Sequence, residues 1–504
     1  MRVAQLSKSR RTRVSRSTTI VAPIAGSNTN DSQFSIRADE SPDLIQNFFP
    51  RFGYLDSRGG STSYSTGITG NVKTLATYSA ANGTESLFAA TPSGIYNVTA
   101  SGAVGAAVIA RTDGKHQWTM FGDGTNNWIC MFNGVDKPAF YNGTTWTAVD
   151  GVSVPAITGV TTTGLIGACS YQGRLFLIEK DKLKFWYLPA GAVGGAAVAF
   201  DLAAQCSRGG YLMAALPFTY DGGSGMDDVI VFVTSMGEAI CYKGTDPGTA
   251  ANWIKLGTYY IGKPIGRRCM AKLGGDVLVL TENGIVKMSA ALNGVVDDRS
   301  FYITNKIRDS FNFQYRSNGS VFGWEMLVFH KEQALIVNIP SVEDSSSSQF
   351  VMNINNGAWC FFSGWSANTF GVLNGTLYYA RTTTTYSAWG TTLTDEGQNI
   401  QAQFRTSNVN IGANGKSKLK FCSVNHDSPA AGMYRQATLY VDGLATSSTC
   451  VLPTSTAGFT DYPFTLFSNT GKYHSILFSI NLSNNASGIK VYSFTFTYES
   501  GGLI

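Results

Sequence analysis

The side chains able to do acid–base, metal or nucleophilic chemistry are few and scattered. Four histidines, His116, His330, His426 and His474, are spread over 504 residues. Cys422 and His426 stand at i and i+4, but in a segment of strand character, where that spacing does not bring side chains together. Adjacent carboxylates occur at Asp227-Asp228 and Asp297-Asp298. Neighbours on a strand point to opposite faces, so neither pair is expected to act as a general acid/base dyad. Gly222-Gly223-Ser224-Gly225 is followed by no G-K-[ST], and no G-x-S-x-G elbow occurs. The N-x-[ST] triplets at Asn97, Asn142, Asn374, Asn481 and Asn485 are what an Asn/Thr-rich chain contains by chance. These residues predict no catalytic set, no metal and no cofactor, and hence a protein that is not an enzyme.

The eight cysteines (Cys130, Cys169, Cys206, Cys241, Cys269, Cys360, Cys422 and Cys450) include no C-x-x-C. Most sit in apolar runs, where a free thiol serves as a small core residue, as in a reducing cytoplasm. Lysine and arginine outnumber acids by 38 to 33. Arg2, Lys8, Arg10, Arg11, Arg13 and Arg16 all precede the first acid, Asp31, so the rest of the chain is close to neutral. The basic character therefore belongs to an arm, residues 1–19. It reads either as a solvated tail or as a segment that touches an acidic partner or nucleic acid. No apolar run follows these residues as a secretory signal requires. The uncharged stretch Phe185–Phe200 is broken by Pro189, Gly191, Gly194 and Gly195 and is too short to span a bilayer, so no stable membrane insertion is expected.

The elements needed to position any site are strands. Only 14% of residues are charged, well below the roughly 25% of an ordinary globular chain, while Gly, Phe and Tyr are abundant. That mixture favours pleated surfaces joined by tight turns. From residue 85 to 395 an apolar run, a Gly-containing turn and a second short run recur about seven times. The first runs are Leu87–Ala90, Trp128–Phe132, Arg174–Ile178, Val229–Val233, Asp276–Leu280, Met326–Phe329 and Phe370–Leu373. Each predicts two strands of a hairpin, and units at this spacing predict the blades of an irregular β-propeller. An array of β-sandwiches is the competing architecture. The continuous apolar runs are expected on the innermost strand of each blade. Ile303, Ile307 and Phe311 repeat at helical spacing and predict a short amphipathic helix within Phe301–Phe313, and Ser345–Ser348 reads as a loop tip. Phe121–Trp128 partly resembles the turn motif repeated in sialidase-type propellers, lacks its leading Ser/Thr and reads as a hairpin turn.

After residue 396 the pattern changes to alternation. Phe494, Phe496 and Tyr498 face one way, and Leu439 with Val441 does likewise, so 396–504 is predicted to be a separate β-sandwich-like domain. Residues 20–84 read as an N-terminal docking segment ahead of the propeller. The predicted fold class is all-β. Gly357, Trp359 and Trp365 are expected to be structural, with Trp359 buried in a blade rather than offered as a stacking platform.

Three stretches resemble the tail nozzle, or tail hub, proteins of short-tailed bacteriophages (podoviruses). The first is Pro23–Thr29 with Asp43–Pro50 and Arg58-Gly59-Gly60. The second is Asn338-Ile339-Pro340 with Gln349–Asn353, Gly357–Cys360 and Gly364–Ala367. The third is Gly471–His474 with Phe494–Gly502. The stretches occur in family order, the middle resembles only in texture, and the basic arm before Ile20 departs from the pattern.

The resemblance implies a virion protein assembled in the host cytoplasm. It implies a homo-hexameric ring beneath the portal and adaptor (head-to-tail connector) proteins, extended by a tail needle, spike or fibre. That ring would retain the genomic dsDNA and conduct it during ejection. A near-neutral wall suits this role, since it would not grip duplex through counterion release. Lys8, Arg10, Arg11, Arg13 and Arg16 are then the candidate partner-contact residues. The alternative is a glycan-binding tail adhesin or receptor-binding propeller; a glycoside-cleaving propeller is disfavoured by the missing carboxylate constellation.

Overall fold

A computed structural model of the chain describes residues 14–221, 226–294, 301–412, 415–427, 435–451, 458–463, 470–483 and 488–500. The chain is all-β and divides into two compact units, one of residues 59–398 and one of residues 1–58 with 399–504.

The first unit is a seven-bladed β-propeller. Its innermost strands are Thr74–Ser79, Gln117–Gly122, Leu165–Tyr171, Leu212–Asp221, Met270–Leu273, Glu325–Phe329 and Thr369–Leu373, for blades 1 to 7. Each lies beside the next, and the strand of blade 7 returns to that of blade 1. All seven repeated runs fall in different blades. The continuously buried strand is mostly the second from the axis, not the innermost. Examples are Trp128–Phe132, Val229–Val233 and Ala334–Ile339. The innermost strand has one face toward the axial channel, and Gln117–Gly122 is accordingly mostly half-buried or exposed.

Cores form between blades. Phe185 of blade 3 stacks on Phe232 of blade 4 with ring centroids 4.5 Å apart, and Phe176 stacks on Trp253 across the same boundary. Cys130, Cys169, Cys241, Cys269 and Cys360 are free and buried in this unit. Burial pushes the Cys241 and Cys269 thiols up to about 12, which makes them unreactive core residues.

The ring is closed by an N-terminal strand. Thr62–Thr66 pairs antiparallel with Thr384–Ala388 of blade 7. Gly59 and Gly60 lead into it under close approach, since a Cβ on Gly60 would lie 2.1 Å from the Thr394 carbonyl oxygen. The expected boundaries are corrected accordingly: residues 59–84 belong to the propeller. The expected helix lies further along, at Arg308–Asn318, with Ile307 and Phe311 buried. Ile303 is not on it, because its amide is drawn to the Ile285 carbonyl of blade 5. Ser346–Ser348 opens a strand, Ser346–Asn353, rather than forming a loop tip.

The second unit is a β-sandwich built from both ends of the chain. One sheet runs Phe48–Arg51, Tyr54–Ser57, Lys490–Ser500, Ser417–Asp427, Gly458–Pro463, with Ser15–Val21 laid along Lys490–Ser500. The other contains Gln398–Arg405, His474–Leu482, Arg435–Val441 and Leu444–Val451. Phe404 and Phe478 of the second sheet meet Phe494 of the first at 5.8 and 6.2 Å. The N-terminal segment is thus not a separate docking piece, because Ile20 sits opposite Phe494 and supplies a missing edge strand. The same pairing shortens the arm, since residues 15–19 are strand.

Candidate functional site

The inner strands of all seven blades surround an axial cavity of about 230 Å³. That volume has room for a small molecule and is too small for a stretch of duplex. Blades supply its wall through the residues that begin each inner strand, because these are where the chain arrives at the axis.

Arg268 precedes the inner strand of blade 5 and Glu325 begins that of blade 6, and they pair at 2.8 Å. Arg268 also donates to the Lys73 carbonyl (2.8 Å), the Thr74 hydroxyl (2.7 Å) and the His116 carbonyl (3.3 Å). Glu325 accepts from the Thr369 hydroxyl and the Phe370 amide of blade 7. Burial pushes the Glu325 carboxyl up, and Arg268 with these hydrogen bonds offsets only part of that rise. Beside them Trp118 donates its indole N–H to the Leu75 carbonyl at 3.1 Å and remains 38% exposed. His116 is buried, and its Nδ1 has no partner. Burial lowers its pKa to about 4, so the ring is neutral at pH 7.

Charged residues ahead of blades 1 and 2 meet a turn of blade 6. Lys73 bonds Glu343 and Asp344, Lys115 bonds Glu343 at 3.0 Å, and Lys115 stands 4.3 Å from the centre of the Phe322 ring. Burial alone would raise the Glu343 and Asp344 carboxyls, but hydrogen bonds from these lysines bring them below their ordinary range. Arg268 approaches the same ring at 5.2 Å.

The residues singled out from sequence lie elsewhere. Trp359, in the outermost strand of blade 6, is 1% exposed and donates to the Ile303 carbonyl at 2.9 Å. Trp365 is fully buried against Phe362 and Trp389 and donates to Asp395 at 3.2 Å. Gly357 turns between two strands of blade 6 at φ +68°, a backbone that favours glycine. Asp227 pairs with Lys243 at 2.9 Å, and Asp228 accepts from Gln172 and Thr219. They make separate contacts in a groove between blades 3 and 4, not a shared-proton dyad. Asp123 caps the hairpin Phe121–Trp128, accepting from the Thr125 and Asn126 amides and the Trp128 indole. Arg16 is exposed on the edge strand Ser15–Val21, while Lys8, Arg10, Arg11 and Arg13, like Asp297 and Asp298, lie outside the described residues. Among the described residues no three or more His, Cys, Asp or Glu side chains are grouped to hold a metal. None of their helices is long and apolar enough to cross a membrane.

The axial residues were not singled out from sequence, because seven distant segments contribute to the site and no motif spans them. A faint signal existed. In a chain poor in charge, Lys115-His116, Arg267-Arg268 and Glu325 each stand at the start of a strand that lines the axis.

No family model matches the sequence, and no curated protein matches it. Solved structures do match by shape. The extracellular domain of a hybrid two-component system from B. thetaiotaomicron aligns over 68% of this chain at 10% identity and TM-score 0.42, and the chain spans 42% of that structure's length. YCF48 bound to D1 peptide aligns over 68% of this chain and 97% of its own, at 10% identity and TM-score 0.36. An exo-β-1,3-galactanase from Phanerochaete chrysosporium aligns over 77% of this chain and 97% of its own, at 10% identity and TM-score 0.26.

The last of these corrects one expectation. The chain was read as not an enzyme because no catalytic constellation is legible along it. A glycoside hydrolase is nevertheless among the structures it is similar to, and that exclusion is withdrawn. Physically, loops on a rigid scaffold can bring together groups far apart in sequence, so a missing motif excludes little.

Proposed function

We propose that the chain is a structural subunit of the tail nozzle, or hub, of a short-tailed bacteriophage, forming a homo-hexameric ring below the portal and adaptor proteins. In this reading the ring carries a needle, spike or fibre and passes genomic dsDNA during ejection. The observation that carries the proposal is where the resembling stretches fall. The opening stretch as far as Arg58 and the closing stretch, more than 400 residues apart, fold into one sandwich, where Phe48 and Phe494 both pack on Phe404, at 5.1 and 5.8 Å, and Arg58 is buried against Asn47 at 2.9 Å. The remaining stretch is the buried framework of blade 6, in which Asn338 and Gln349 bond each other at 3.0 Å and Gln349 reaches the Trp365 carbonyl. Residues shared with the family are thus those that hold both units together internally. Each propeller's own axial cavity is too small for duplex, so DNA would pass through the ring of subunits rather than through a subunit.

A second reading, a glycan-binding tail adhesin, is favoured by one observation. Trp118 presents a 38% exposed aromatic ring to the axial cavity, and exposed aromatic faces stack on sugars. Electron microscopy of the purified full chain, alone and with the adjoining adaptor, tests both. Sixfold rings that seat on the adaptor are expected; monomers that bind glycan and ignore the adaptor would replace the first reading by the second.

A further inference from the structure

Next to the Arg268–Glu325 pair the end of the propeller axis opens into a cavity of about 420 Å³, within the roughly 300–1,000 Å³ of small-molecule sites. Four cations from three blade boundaries line it: Lys115 ahead of blade 2, Lys180 from the hairpin of blade 3, and Arg267 and Arg268 ahead of blade 5. Asp113 is the one carboxylate on the same wall among the described residues. Glu325 and Glu343 are engaged by Arg268 and the two lysines, and Asp181 approaches Arg267 only at 3.6 Å.

Two of the four are the least engaged: Lys180, exposed and without an ion pair among the described residues, and Arg267, with only its long one to Asp181. Arg267 lays its guanidinium 5.3 Å from the Tyr211 ring and gives one amine to the Leu212 carbonyl at 3.0 Å. Burial lowers its pKa, more than Tyr211 and Asp181 restore it. Arg111, two residues before Asp113 of the lining, is a further cation that does not itself line the cavity. Arg111 is 6% exposed, donates from Nη1 to the Lys137 carbonyl, and leaves Nε and Nη2 without partners. Nothing in the proposed tail role calls for uncompensated charge in a concave site.

We propose that this cavity binds a small ligand that carries an oxyanion, a carboxylate or a phosphate, on a compact body with one apolar face, as a pyranose ring has. Lys180 and Arg267 take the anion, and Val135, Ile166 and Phe322 face the body. The guanidinium offers a planar fork that matches either oxyanion, whereas the ammonium acts as a point charge. The Asn133 amide and the Asp113 backbone complete a polar rim already ordered by Asp136, which accepts from Thr112, Asp113 and Asn133. The site is therefore formed before a ligand arrives. The proposal does not depend on the assembly of rings.

Titration calorimetry of the full chain with glucuronate, glucose 6-phosphate and glucose tests it, because the three share a pyranose body and differ in charge. Binding of glucuronate, of glucose 6-phosphate, or of both, weakening with added salt and absent for glucose, is expected. Which anion binds identifies the source. Lys180→Gln should weaken that binding about tenfold, the worth of one charge-assisted hydrogen bond, with an unchanged melting temperature. Arg267→Gln also removes the bond to the Leu212 carbonyl, so the Lys180 variant decides. Binding of glucose as tight as that of the anions, binding of neither anion, or unchanged affinity in the Lys180 variant would overturn the proposal.

Discussion

The guanidinium of Arg268 and the carboxylate of Glu325 meet at 2.8 Å where blades 5 and 6 adjoin, and each is also bonded to another blade. Arg268 reaches Lys73 and Thr74 at blade 1, and Glu325 holds Thr369 and Phe370 of blade 7. One ion pair thus ties together the four blades on either side of the point where the ring closes. Removing one member of such a pair strands the other in a poorly solvated site. Arg268→Met should therefore cost about 3–5 kcal/mol in denaturant unfolding. Adding Glu325→Gln to it should recover part of that loss. A double variant no more stable than the single one would show that the pair's charge is not what matters.

His116 makes stability depend on acidity. Its folded pKa is about 4 against 6.5 for a free imidazole, because burial disfavours the charged ring. Between those values the unfolded chain binds more protons than the folded one, so stability falls as pH is lowered from about 6.5 to about 4. The whole effect is on the order of 3 kcal/mol. Melting temperatures of wild type and His116→Gln across this window should diverge, with the variant flatter. Parallel curves would exclude His116 as the source.

Trp359 fills the outer layer of blade 6, 1% exposed and bonded to Ile303. Trp359→Ala should lose about 3–5 kcal/mol and much of the soluble yield, whereas Trp359→Phe should lose less. Thermal melts of the two variants check this, and an alanine variant that melts like wild type would contradict a structural role.

The closing strand Thr62–Thr66 gives blade 7 its pairing beyond Thr384–Ala388. Ser63→Pro together with Ser65→Pro breaks that pairing and leaves the ring unlatched while keeping the sandwich strands, so this variant should aggregate and lose its cooperative melt. Limited proteolysis and light scattering provide the comparison with wild type. An intact, monomeric double-proline variant would mean that the cores between blades close the ring by themselves.

The basic arm should be cut at residue 13, because Ser15–Val21 is a strand of the sandwich. On the proposed tail role, a chain lacking residues 1–13 should keep its melting temperature and attach less well to the adaptor ring. Retention on a duplex DNA column should change little between the two chains. An arm holding n phosphates would instead give a log K slope on log salt of roughly −0.9n, lost on truncation. That result would assign the arm to DNA rather than to protein.

The all-β class, about seven repeated units and the alternating C-terminal strands are legible in the order of residues alone. These features rest on neighbouring residues: Trp128–Phe132 must be buried on both faces, and Phe494, Phe496 and Tyr498 must share one. Hydrophobic period and turn residues act over a few positions and can be read there. Folding set the rest: which strand of each blade meets the axis, that Thr62–Thr66 completes blade 7, and that Ser15–Val21 lies against Lys490–Ser500. It alone brought Lys73, His116, Arg268 and Glu325 within hydrogen-bonding distance of one another or of shared partners. Pairing across hundreds of residues is set by closure of the ring and by complementary edges. A charge that finds its partner only on another blade carries no local mark of it.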